Sequence, residues 1–325
     1  MVTTTTTTMP STTTAAPTTT VETTTTAASS SDSGVTITKD VVYLEMSDHE
    51  YLVDVYIPAG DGPWPVVVAL HGATVLRSHA APIAKAAAEA GMLVFAPNYV
   101  SAWRPLSEFD VEFVRTEMSP ASQCSLAYAQ QEAAAYGGDS NRTVVYGMSA
   151  GASVGAALLL QPPTDLVSEC LAQTLPVAPV GGVLGDAEYF YHPGWWDGAF
   201  AEDIDEMQTL VAETVDPATW PTDMPKRFRF WAAADGTAPR PFDDPWDQDD
   251  WFAQRDPDST IREDLDELGE LDDGVITYID SGLLLATRLQ QAGIDATFDI
   301  FPGGHTHNDK VPELIAYLLE AAGTG

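Results

Sequence analysis

The chain has 325 residues, 45% of them hydrophobic, and sets 14 basic against 48 acidic side chains for a formal net charge of −34. That surface repels nucleic acid and anionic membranes, which argues against both as partners; solubility or a salty medium is explanation enough for the charge. No run approaches the roughly 20 apolar residues of a membrane helix, and two cysteines, Cys124 and Cys170, are too few for a disulfide scaffold.

In chain order, residues 1–34 are almost wholly Thr, Ser, Ala and Pro. They offer too little apolar surface to offset chain entropy, so they predict a disordered linker ahead of one folded domain, 35–325. Thr36 to Met46 and Tyr51 to Ile57 read as two early strands, followed by a Gly/Pro loop. Val66 to Leu70 is a continuous apolar run, expected of a strand buried on both faces. Ala80 to Ala90 reads as a helix and Met92 to Ala96 as another buried strand. A helix over Ser119 to Tyr136, a strand over Thr143 to Tyr146 and a helix over Ala152 to Leu160 come next. Leu175 to Val183 and Phe228 to Ala234 read as strands, Gly282 to Ala292 as a helix, Ala296 to Phe301 as the last strand and Val311 to Ala322 as a terminal helix. The alternation predicts an α/β sandwich with a mostly parallel sheet flanked by helices.

Two stretches exceed that plan, the aromatic-rich Asp186 to Arg227 and the acidic Ala238 to Gly274. Both are expected over the carboxyl edge of the sheet, as lid-like and acidic insertions. Within the second, Asp256, Asp258, Thr260, Asp264 and Glu267 echo a calcium loop. Ile261 stands where such a loop needs glycine, so a solvated charge run is expected and no metal.

Gly147-Met148-Ser149-Ala150-Gly151 matches G-x-S-x-G. A chain this long shows that pattern by chance about one time in ten, but here it falls between a buried strand and a helix. A tight strand-to-helix turn flanked by small residues makes a serine hydroxyl project free of the sheet. His71-Gly72-Ala73-Thr74 follows the earlier buried strand, and Gly303-Gly304-His305 follows the last one.

With these motifs the chain resembles the α/β-hydrolases of the carboxylesterase and lipase type, over roughly Val41 to Ala322. The resemblance implies Ser149 as nucleophile and His305 as base, with His307 a nearby competitor. It implies Asp235 as acid, ahead of Pro239 and with Asp243 and Asp244 as alternatives. The backbone N–H groups of Ala73, Thr74 and Ala150 would form the oxyanion hole, although Ala and Thr stand where relatives carry glycine. Trp103, Trp195 and Trp196 are weaker candidates for a substrate pocket, core aromatics being the alternative.

The reaction so implied is hydrolysis of a small or polymeric carboxylic ester through an acyl-enzyme, with no cofactor. A peptidase of the same fold, and a non-catalytic surface-binding domain, are the other readings. The Thr-rich tract resembles spacers of secreted actinobacterial proteins, which implies a secreted or cell-surface location. No basic and apolar signal precedes the tract, so export implies a signal already removed, or a lipid anchor upstream. In an oxidising compartment Cys124 and Cys170 would form one bond; two buried thiols are the alternative. Acyl chain length and oligomeric state are not legible.

Overall fold

A computed structural model of the chain describes residues 34–73, 75–100, 111–161, 163–187, 189, 217–221, 224–225, 227–234, 278–305, 308 and 310–324. Eight strands form one sheet: β1 (Thr36–Met46), β2 (His49–Ile57), β3 (Trp64–Leu70), β4 (Leu93–Pro97), β5 (Gly138–Met148), β6 (Gly181–Gly185), β7 (Arg227–Ala233) and β8 (Asp295–Phe301). Their spatial order is β1-β2-β4-β3-β5-β6-β7-β8. β1 and β2 pair antiparallel with each other, as β2 does with β4, and every later pairing is parallel.

Period-two alternation places the sheet between two cores. Along β3, Val66, Val68 and Leu70 enter one apolar cluster while Val67 and Ala69 enter the other. On the first face lie α2 (Ser119–Glu132), α3 (Ala150–Leu160) and α4 (Tyr278–Gln291), contributing Leu126, Ala156 and Leu284. On the second lie α1 (Ala81–Glu89) and α5 (Val311–Ala321), contributing Ile83 and Leu318. Because both faces are covered, the central strands read as unbroken apolar runs.

The sequence places most elements to within a few residues and misplaces one. The strand expected from Leu175 begins only at Gly181. Pro176 and Pro179 lack the N–H groups a ladder needs, and Leu175 and Val177 are exposed. Here the Gln130 side-chain amide substitutes for a strand neighbour, donating to the Val177 carbonyl at 2.9 Å and accepting its N–H at 2.8 Å. The strand expected over Thr143 to Tyr146 is longer, since Trp64 and Pro65 of β3 already pair with Gly138 and Asp139.

A disulfide joins Cys124 of α2 to Cys170, 46 positions further on, with Cα atoms 5.7 Å apart. It ties the segment after α3 to α2, while Leu171 of that segment donates to the Tyr43 carbonyl of β1. Among the described residues no helix is long and apolar enough to cross a membrane, and no group of three or more His, Cys, Asp or Glu is gathered for a metal. The calcium-like run 256–267 lies outside the described residues.

Candidate active site

Chain direction reverses across the sheet between β3, which leads to β4 on one side, and β5, which leads to β6 on the other. The crevice at the carboxyl ends of two such strands is where open α/β sheets bind ligands. Here it receives the His71-Gly72-Ala73 loop after β3 and Ser149 after β5.

Ser149 sits at φ 56°, ψ −133°, directly before the first residue of α3. A non-glycine residue held there costs of order 1–3 kcal/mol and persists only where its surroundings enforce it. The enforcement is backbone against backbone. A methyl group on Gly147 would stand 2.2 Å from the Gly151 carbonyl oxygen, and one on Gly151 2.4 Å from that of His71. The Ser149 N–H donates to the Gly185 carbonyl of β6 at 2.9 Å, and its own carbonyl accepts the Ala152 N–H at 2.7 Å. Ala150 follows as the first helical residue, whose N–H has no partner within the helix and carries the positive end of its dipole.

The β3 loop runs beside this turn, so that a Cβ on Gly72 would lie 3.5 Å from Ser149 Cβ and 4.0 Å from its Oγ. The loop is tied at both ends. Tyr99 donates its hydroxyl to the His71 carbonyl at 2.6 Å and stacks on the imidazole, ring centroids 4.6 Å apart. Arg77 donates its backbone N–H to Asn98 and its Nε to Asp54 of β2, and pairs with Asp40 as well. Asp54, buried in β2, thus holds this loop through Arg77. The His71 imidazole is wholly buried and donates from Nδ1 to the Gly72 carbonyl at 2.7 Å. Burial pushes its pKa down to about 4, aided by the charges of His79 and Arg77 and opposed by the Gly72 contact. Nε2 is buried with no hydrogen-bond partner among the described residues, so a proton placed there would be unsatisfied.

His305 lies just past β8, and its Nδ1 meets Asp186 Oδ2 at 3.0 Å. Asp186 is the residue after β6, fully buried in its side chain, whereas the His305 side chain is 38% exposed. Like Ser149, Asp186 has a positive φ, 54°. Its backbone N–H donates to the Trp231 carbonyl at 2.9 Å, and its Oδ1 accepts the Ala233 N–H at 2.7 Å. Trp231 lies flat against Gly185, where a side chain would strike the indole at 2.0 Å. Burial and the Asp186 charge push the Tyr146 phenol above its ordinary range, so that hydroxyl stays protonated beside the carboxylate. On the far side of His305, Lys310 donates to the Gly304 carbonyl at 3.0 Å, with its ammonium 5.7 Å from the Trp231 ring centre.

Ala73 follows the carboxyl end of β3, Ser149 and Ala150 that of β5 and His305 that of β8, where it meets Asp186, a residue that the sequence pattern does not single out. Asp235, Asp243, Asp244, His307, Thr74, Trp103, Trp195 and Trp196 lie outside the described residues. The signal for Asp186 is an apolar strand ending in an acid next to the elbow strand. The strand expected to end at Val183 runs on to Gly185, and Asp186 directly follows it.

No protein-family model and no curated protein sequence matches the chain. Solved structures do. A thermophilic esterase from the planctomycete Thermogutta terrifontis superposes with a TM-score of 0.58 at 18% identity, over 90% of this chain and 93% of that one. The same esterase bound to butyrate gives 0.57 at 17% identity, over 90% and 95%. Its form phosphoramylated by tabun gives 0.58 at 17% identity, over 90% and 96%. The chain has the α/β-hydrolase fold. The α/β-hydrolase strand order, the reversal between β3 and β5 and the turn at Ser149 account for that likeness without any appeal to sequence identity.

Proposed function

We propose that this α/β-hydrolase chain is a serine hydrolase that cleaves small carboxylic esters through an acyl-enzyme on Ser149. The observation that carries the reading is Ser149 itself, held at φ 56° between β5 and α3, where its hydroxyl leaves the sheet at the ligand crevice. In this scheme His305 takes the serine proton as Oγ attacks the ester carbonyl, and returns it to the departing alcohol. Ala73 and Ala150 N–H groups receive the tetrahedral oxyanion, with Thr74 as a third donor. His305 then activates water to release the acid.

Asp186 is proposed as the acid, on the strength of its contact with His305 Nδ1. From that place a carboxylate fixes the tautomer with its bare Nε2 free to act as base, and stabilises the cation formed on proton transfer. The sequence-based assignment of Asp235 is the competing proposal, and parallel variants separate the two. Small acyl groups are favoured because the structural neighbours include forms with butyrate and propionate bound. The Cys124–Cys170 disulfide supports an oxidising, extracytoplasmic setting for the Thr-tailed chain.

The test is hydrolysis of p-nitrophenyl esters from acetate to palmitate by wild type and Ser149→Ala. Turnover of the short esters should fall by about 10⁴-fold or more in the variant. Turnover that survives the substitution, or no hydrolysis of any ester by the wild type, would reject the proposal.

A further inference from the structure

Resting on the assignment of His305 as base, we propose that Tyr278 is a positioning residue for it: its ring backs one face of the imidazole and stops it turning away from Asp186 and Ser149. The two rings lie 5.2 Å apart at centroid and 27° from parallel. Asp186 fixes only Nδ1, and a single hydrogen bond leaves a half-exposed ring free to swing about it. A flat wall against one face removes that freedom.

The wall is itself firmly seated. Tyr278 begins α4 and is 4% exposed, and Ser281 in the same turn is fully buried. Ser281 Oγ accepts the Tyr189 N–H at 2.7 Å, three residues beyond Asp186. One turn of helix therefore braces the chain leaving the acid and the ring of the base together. Further along α4, a side chain on Gly282 would strike the Phe298 ring at 2.7 Å, so the helix lies close on β8, the strand that delivers His305.

An aromatic face also attracts a cation, so the stacked phenol favours the imidazolium of the transition state over the neutral ring. Replacing the ring by leucine preserves most of the bulk and loses that attraction. The charges left in place by the change are Asp186 on Nδ1 and Lys310 on the Gly304 carbonyl.

The experiment measures the pH profile of p-nitrophenyl acetate hydrolysis by wild type, Tyr278→Phe, Tyr278→Leu and Ser149→Ala. Tyr278→Leu should lose about tenfold in kcat, as expected of a slightly misplaced base, with little change in KM. Tyr278→Phe should retain the wild-type profile. A wild-type profile in Tyr278→Leu, or an equal loss in Tyr278→Phe, overturns the proposal while Ser149→Ala remains dead. Hydrolysis that survives in Ser149→Ala overturns the underlying reading and the brace with it. A second measurement serves if Tyr278→Leu does not fold. In wild type, the His305 ring protons, identified by their loss in His305→Gln, should resonate upfield from the ring current of Tyr278; unshifted resonances overturn the stack.

Discussion

The two halves of the proposed site are held by different means. The nucleophile half, Ser149 with Ala150 and the His71-Gly72-Ala73 loop, is a main-chain object. It rests on the ends of two hydrogen-bonded strands, where Leu70 pairs with Gly147, and on contacts that exclude any side chain at Gly147 or Gly151. The acid–base half is a side-chain object: Asp186 and His305 are 119 residues apart and meet through one 3.0 Å contact, with Tyr278 behind. Substitutions that crowd the main chain of the first half should therefore be felt as lost stability. Those in the second should be felt as lost rate in a protein that still folds.

The largest effect that sharpens this contrast is expected from Asp186→Asn. The asparagine can still accept the Ala233 N–H, so the β6 terminus keeps its bond. Its amide, however, presents donors to His305 Nδ1 and imposes the tautomer with the proton on Nε2, which cannot serve as base. We expect kcat to fall by about 10⁴-fold with a melting temperature within a few degrees of wild type. Asp235→Asn, measured beside it, should cost far less; the opposite ranking would return the role of acid to Asp235.

The converse is expected of Gly151→Ala. The added methyl would meet the carbonyl oxygens of both His71 and Leu70, and backbone cannot rotate out of the way as a side chain can. A loss of about 3 kcal/mol in urea unfolding is expected, along with displacement of the loop after β3. Stability within about 0.5 kcal/mol of wild type would show that the nucleophile half is looser than these contacts require.

The same contrast explains what could be read in the sequence. The elbow is legible because strand, turn and helix are contiguous and the crowding demands glycine at Gly147 and Gly151. His305 is legible because it follows the last strand behind two glycines. Asp186 was not legible as the partner of His305, since an acid closing an apolar strand is too weak a signal to pick it, from 48 acidic residues, as the one that faces a histidine 119 positions away. Tyr278 was hidden for the same reason: as one more aromatic at a helix start, its stacking on His305 exists only once β8 and α4 are packed. The mostly parallel sheet follows from alternating elements. The late start of β6 followed from two prolines that the apolar run had masked.

The smallest effect concerns the histidine of the nucleophile half, and its sign is fixed by burial. His71 is pushed down to about 4 in the folded chain against roughly 6.5 when unfolded. Between those values the unfolded state binds more protons, so stability rises with pH through that window and is lost as pH falls towards about 4. From pH 7 to pH 5 this one group should cost about 2 kcal/mol. The other shifted pair of acids acts elsewhere: Arg229 hydrogen bonds hold Asp295 and Glu320 below the ordinary carboxylate range, so their contribution is present above about pH 4 and drains away below it. Urea unfolding at pH 7 and pH 5 separates the two windows. Wild type should lose about 2 kcal/mol more than His71→Gln over that interval, whatever the variant's stability at pH 7. Equal losses would mean that His71 takes up its proton in the folded loop as readily as in the unfolded chain, and that the loop after β3 opens to water well before the rest of the nucleophile half.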